Sequence, residues 1–300
     1  MLKHKLIRER EILARLTELS EFWDDNATSM LPNLAVFSRN YRGSKSGAVY
    51  EPVVCLILQG SKETSIGDQH VKINQGDALL VSHHLPVVSR IVEASADAPY
   101  LAILFSLDIR LVRSLYDLIG DAPGIDVDAQ SLAVGPADIT WLVPLLEYME
   151  LYKNPLDAKV LGESISRQIH YRLILSPIGS MLRHLLVVNS HASKIGRAIE
   201  NLRVTYRSKL SVTDLAGLAG MSVSSFHTHF KVVTGTTPLQ FQKDLRLVEA
   251  QSILAYDSIA VSDVAFKVGY SSPNQFSRDY RKKFGRAPSE EKLEKRDSTT

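Results

Sequence analysis

The sequence predicts an α+β chain, with a strand-built barrel and flanking helices over residues 1–190 and an all-α domain with two helix-turn-helix units over 191–300. Three observations predict it. Short apolar runs broken by Gly and Asp turns fill residues 34–107, a helical apolar period follows, and one helix-turn-helix pattern occurs twice between Ser211 and Pro288. A chain of 300 residues has length for about two cores.

Taken in order, residues 6–22 set Ile7, Ile12, Leu13, Leu16 and Leu19 among charges, which is an amphipathic helix. Val53–Leu58 is a continuous apolar run of buried-strand length. Gln59-Gly60-Ser61-Lys62 reads as a turn, Glu63–Ile66 returns, Gly67-Asp68 turns again, and Val71–Ile73 follows. Asn74-Gln75-Gly76-Asp77 precedes Ala78–Val81, and Tyr100–Leu107 closes the series, so a small barrel or sandwich is expected.

From Asp108 the period is helical. Leu111, Leu115 and Leu118, then Ile139, Leu142, Val143 and Leu146, then Val160, Ile165, Ile169, Leu173 and Ile174 line three helices, with Gly120–Gly135 as a loop. They either cover the barrel or contact another subunit. Ser176-Pro177-Ile178-Gly179 breaks the run, and Met181–Val188 forms one more short helix. Asn189–Ser193 reads as the linker, which sets the domain boundary at 190/191. Ser193–Val204 opens the second domain, Pro238–Tyr256 is a long helix joining its two units, and the charged tail after Lys292 is expected to fray.

The repeat carries the functional signal. Asp214-Leu215-Ala216, Gly220, Phe226, Phe230, Gly235 and Pro238 recur as Asp263-Val264-Ala265, Gly269, Phe276, Tyr280, Gly285 and Pro288. Ser211 caps the first helix in capping-box form, Ser222 and Ser272 cap the second helix of each unit, and Pro273 takes the favoured first helical position. Gly220 and Gly269 suit the positive φ that ends one helix and redirects the chain. The aromatic pairs face inward at i,i+4. Ser224, Ser225, His227, Thr228 and Lys231, and Asn274, Gln275, Ser277, Arg278 and Arg281, face outward.

These residues resemble the C-terminal DNA-binding domain of AraC/XylS-type transcription regulators. The likeness is carried by Gly220-Met221-Ser222-Val223-Ser224-Ser225-Phe226-His227, Thr237-Pro238-Leu239-Gln240, Val268-Gly269-Tyr270 and Phe284-Gly285, and covers about residues 191–290. It implies two recognition helices in successive major grooves of double-stranded DNA. Ser224, His227 and Thr228 would face bases in the first, and Pro273, Asn274, Ser277 and Arg278 in the second. Side-chain chemistry puts Arg278 on guanine and Asn274 on adenine, with Lys231, Arg246, Arg281, Lys282 and Arg286 on phosphates. Ala260 departs from the capping residue at Ser211. Gln75–Leu80 looks like the turn and strand of a cupin-type barrel, and the segment 50–110 resembles the N-terminal domain of one AraC subgroup. The resemblance implies a small-molecule effector or a homodimer at that domain, and RNA polymerase as a partner.

Charge agrees with a nucleic-acid partner. The whole chain is near balance at +2, but residues 191–300 hold 17 Lys+Arg against 11 Asp+Glu. Cys55 is the sole cysteine, which excludes an internal disulfide and a Cys-based zinc cluster. It reads either as a small buried hydrophobe or as a thiol opening onto the barrel cavity, the weak effector-binding candidate, with no Lys, Arg or His beside it in sequence to activate it. His83-His84 leave opposite faces of a strand, His70 stands alone, and His227 and His229 do not share a helix face. No metal or cofactor is expected. The N-terminus lacks an apolar signal-peptide core and no run approaches the ~18 residues of a membrane span, so a cytoplasmic, non-enzymatic protein is expected. Two other readings stand beside the regulator. A cupin-type metal-dependent enzyme with a helical appendage would need a ligand set the barrel lacks. A helical interaction adaptor leaves the basic faces unexplained.

Overall fold

Alternation along the strands separates an inward from an outward face in each of two antiparallel sheets, and that decides the N-terminal half. The computed structural model describes residues 2–67, 69–119, 129–186, 190–256 and 259–291. The chain begins with α1 (Leu2–Glu21) and α2 (Asp25–Met30), followed by β1 (Leu34–Arg39), β2 (Ser46–Tyr50), β3 (Val53–Gln59), β4 (Ser61–Ile66), β5 (Gln69–Ile73), β6 (Asp77–Val81), β7 (Leu85–Glu93) and β8 (Tyr100–Ser106). Then come α3 (Ile109–Ile119), β9 (Leu132–Pro136), α4 (Ile139–Glu150), α5 (Pro155–Leu175) and α6 (Ser180–Leu186). The C-terminal part is helical: α7 (His191–Thr205), α8 (Val212–Leu218), α9 (Val223–Thr234), α10 (Pro238–Tyr256), α11 (Val261–Lys267) and α12 (Pro273–Phe284).

The sheets have strand orders β1-β8-β3-β6-β9 and β2-β7-β4-β5. No strand pairing among the described residues links them, so the closed barrel expected from the sequence is an open pair of sheets. β3 is apolar from Val53 to Leu58 because both its faces are covered. Cys55 faces the second sheet, as do Tyr100, Ala102 and Leu104 of β8, and Phe105, of the opposite parity, meets Tyr148 and His170 of the cover helices edge-on. Two local expectations are corrected. Ser61 and Lys62 belong to a strand rather than a turn, since Lys62 shares its inward parity with Thr64 and Ile66. Leu132–Gly135, expected in the loop Gly120–Gly135, belongs instead to β9, which pairs with β6 from Asp77↔Pro136 to Val81↔Leu132. The remainder of that loop at 120–128, Asp68, the linker residues 187–189 and the tail after 291 lie outside the described residues.

The two halves pack closely. One buried apolar cluster runs from the sheets through Ile195 and Ile199 of α7 to Phe226, Phe230 and Phe241. A second gathers Leu254, Val264, Phe276 and Tyr280 around the last helices, with Val88 of β7. Ser131 N–H donates to Val233 O across the halves at 2.8 Å.

The turn glycines take positive φ, 62° at Gly220 and 92° at Gly269, but their surroundings differ. A Cβ at Gly220 would meet nothing within 4 Å, whereas one at Gly269 would lie 2.3 Å from Arg207 O. Gly220→Ala should cost only the left-handed penalty, about 1–2 kcal/mol. Gly269→Ala should cost more, because backbone must move as well. Thermal melts of the two variants compare them directly, and equal losses would contradict the contact.

Candidate nucleic-acid interface

Each helix-turn-helix unit is built by caps and a buried aromatic pair. In the first, Ser211 Oγ accepts Asp214 N–H at 3.2 Å and Ser222 Oγ accepts Ser225 N–H at 3.3 Å. Phe226 and Phe230 are fully buried with ring centroids 5.4 Å apart, and Gly235 closes α9 in the left-handed region at φ 73°. In the second, Ser272 Oγ accepts Gln275 N–H at 3.3 Å, Pro273 opens α12, and Gly285 closes it at φ 79°. Ala260 offers no side-chain cap to α11, yet the helix forms, because Val264 and Ala265 are wholly buried and packing outweighs one missing cap.

Inward anchoring leaves the other faces to solvent. Ser224, His227, Thr228 and Lys231 are exposed on α9, and Asn274, Arg278, Arg281 and Lys282 on α12, while Pro273 and Ser277 are half-buried. Arg278 Nη2 donates to Gln275 Oε1 at 2.8 Å, and Gln275 Nε2 donates to Asp279 Oδ1 at 3.0 Å, which aims the guanidinium along the helix face. Burial raises the Asp279 carboxyl's pKa, but hydrogen bonds from Lys243, Gln275 and Tyr270 outweigh it and hold the group below its usual value.

α10 is tied to α12 by two crossed ion pairs. Lys283 Nζ lies 2.8 Å from the fully buried Asp244 carboxylate, and Lys243 Nζ lies 3.0 Å from Asp279. The two pairs fasten α12 to the joining helix α10.

His83 and His84 lie in the connection between β6 and β7 rather than on the strand expected from the sequence, yet their side chains still part. His83 is buried with Nδ1 at 2.8 Å from Ser131 Oγ, and burial pushes its pKa down to about 4. His84 pairs with Glu200. His229 stacks on His191 at 3.5 Å, away from exposed His227. Among the described residues no cluster of three His, Cys, Asp or Glu could hold a metal ion. Cys55 is buried and lines a cavity of about 310 Å³ between the sheets.

The family model for the AraC-type transcriptional regulator N-terminus matches residues 30–181, just over half of the chain. The chain belongs to the AraC-type transcriptional regulators. A helix-turn-helix domain model matches residues 215–292 of this AraC-type chain. Among curated relatives, the HTH-type transcriptional activator RhaS of Escherichia coli O1:K1 is 28% identical over 129 residues, 43% of this chain and 46% of RhaS. The chain thus spans about half the length of the curated relatives it matches. Among solved structures, apo ToxT of Vibrio cholerae strain SCE256 has a TM-score of 0.53 at 14% identity, covering 87% of this chain and 97% of ToxT. ToxT of Vibrio cholerae O395 has a TM-score of 0.51 at 13% identity, covering 87% and 98%. At these identities the likeness concerns the fold.

In this AraC-type chain two cations expected on phosphates are committed internally. Arg246 donates to the Tyr206 and Ser208 carbonyls at 2.7 and 2.8 Å, pinning the α7–α8 connection to α10. Arg286 is paired with Glu291 at 2.7 Å. Both side chains brace the domain from within, whereas Lys231, Arg281 and Lys282 stay exposed. Lys62, beside Cys55 in the cavity, escaped the sequence reading. Its signal is the shared parity of Lys62, Thr64 and Ile66, masked because Gln59-Gly60-Ser61-Lys62 has the composition of a turn.

Proposed function

We propose that the chain binds specific double-stranded DNA through α9 and α12 and that the N-terminal pair of sheets, an open cupin-like arrangement, senses a small molecule. The observation that carries this reading is the doubled unit, with matched caps, matched buried aromatics and polar outward faces in the basic part of the chain. Ser224, His227 and Thr228, and Pro273, Asn274, Ser277 and Arg278, are the proposed base contacts, and Lys231, Arg281 and Lys282 the phosphate contacts. The reading divides the chain at 190/191, which is supported by the start of α7 there, capped by Ser190 Oγ through Ser193 N–H at 3.1 Å. In this reading the chain binds and releases ligands without chemistry on them, in the cytoplasm, with RNA polymerase and a second copy as further partners. No helix among the described residues is long and apolar enough to cross a membrane.

An electrophoretic shift on DNA selected by the purified chain tests the reading at two salt concentrations. Arg278→Ala should cost about 1–3 kcal/mol at one preferred base pair and relax preference there. Lys282→Ala should weaken all sequences alike and reduce the salt slope by about one. Uniform loss in both variants would make Arg278 a phosphate contact.

A further inference from the structure

The cavity between the sheets carries a positive charge that no carboxylate among the described residues neutralises. Its lining includes two cations, Arg39 and Lys62, and no carboxylate; the rest is apolar, aromatic or hydroxyl-bearing. Lys62 is buried, 6% exposed. Its Nζ lies 3.3 Å from Cys55 Sγ and 5.5 Å from the centre of the Tyr50 ring, and among the described residues no carboxylate pairs with it. Burial works against the charge, but Cys55, Tyr50 and Tyr100 around the ammonium hold its pKa above the usual lysine value. A buried ammonium without an anion is costly to the fold, so its retention points to a ligand that supplies the anion. A volume of about 310 Å³ is at the small end for organic ligands. Arg39 is only half-buried, with its guanidinium over the Phe37 and Tyr41 rings, so Lys62 is the one enclosed charge; a single ammonium matches one negative charge, which favours a carboxylate over a phosphate dianion.

One wall of the cavity also touches the DNA-binding half. β2 is an edge strand, paired with β7 alone. Its Ser46, Ala48 and Tyr50 line the cavity. Gly47, on the opposite face, lies flat against α10 and α12: a Cβ there would stand 2.9 Å from Val248 Cγ2 and 3.2 Å from Phe284 Cε1. Gly47 N–H donates to Gln251 Oε1 at 2.6 Å, and Gln251 Nε2 donates to Lys45 O at 3.2 Å. A shift of β2 around a ligand therefore reaches the joining helix and the end of the second recognition helix with no intermediate element.

We propose that the cavity binds a small organic carboxylate with a compact apolar body through Lys62, and that β2 passes its occupancy to α10 and α12 through the Gly47–Gln251 contact. The proposal rests on the effector-sensing reading above and specifies its ligand class and route.

Calorimetric titration of the full chain with benzoate, 3-phenylpropionate and octanoate, each beside its amide, and with phenyl phosphate, tests the ligand class. At least one acid should bind about tenfold or more tightly than its amide and than phenyl phosphate. Lys62→Met should abolish that preference without lowering the melting temperature, and Lys62→Arg should retain it. Acids that bind no better than amides, tighter phenyl phosphate, or a preference that survives Lys62→Met overturns the ligand assignment. For the route, DNA affinity is measured with and without the bound acid. Gln251→Met should leave acid binding little altered and remove the acid-dependent change in DNA affinity; an unaltered change overturns it. A chain that binds no DNA under any condition overturns the regulator reading itself, and the calorimetric result on the cavity remains separate from it.

Discussion

A duplex carrying about five extra base pairs between its two half-sites is expected to bind the chain roughly 10²–10⁴-fold more weakly than the unaltered site. One chain carries both recognition helices, and α10 with its 19 residues joins them. Two linked contacts gain from effective concentration, and that gain vanishes when geometry forbids simultaneous engagement. Half a helical turn rotates one half-site to the far face of the DNA. The ion pairs from α10 to α12 leave the second helix little freedom to follow. Because α9 and α12 differ in sequence, the half-sites should differ as well, and footprinting should show two unlike patches about 10 base pairs apart on one face. Equal binding to the lengthened duplex, or two chains on a palindrome, would show that one unit alone reads DNA.

Asp244→Ala is expected to destabilise the chain by roughly 3 kcal/mol. Asp244 is fully buried, receives Gln240 Nε2 at 2.9 Å and pairs with Lys283 at 2.8 Å. Breaking a buried pair leaves the partner charge uncompensated, at about 3–5 kcal/mol. The lower end applies because the Lys283 side chain is 14% exposed and can turn toward water. Asp244→Asn keeps the volume and the bond from Gln240, so it should lose less. Denaturant melts of both variants check the order, and a harmless alanine would mean that the pair does not hold α12 on α10.

The repeat was legible because turn chemistry is local. A serine before a helix and a glycine after it mark boundaries that tertiary packing seldom moves, and α10 runs over Pro238–Tyr256 as its periodicity requires. The internal partners of the arginines were not legible. Arg246 and Arg286 look like exposed cations in sequence, but their partners, the Tyr206 carbonyl and Glu291, are set by the tertiary fold or by a tight closing turn. Sheet closure was hidden for a related reason: alternation reports which face is inward, but not whether edge strands meet. Lys62 was lost to a polar neighbourhood, Ser61 to Ser65, whose parity mattered more than its composition.

The apolar core is not divided where the helix-turn-helix repeat would divide it. α9 shares a cluster with the sheets, whereas α11 and α12 have their own. The boundary passes through α10, with Phe241 and Leu245 on one side and Leu247, Ala250 and Leu254 on the other. In folding terms, two cooperative units meet inside one helix. α9 is anchored in the core of the sheets, and α12 rests against them along β2. In the proposed reading the half-site under α9 is held by the core of the sheets, so a signal passing along β2 acts on α10 and α12 together and on the half-site that α12 would read.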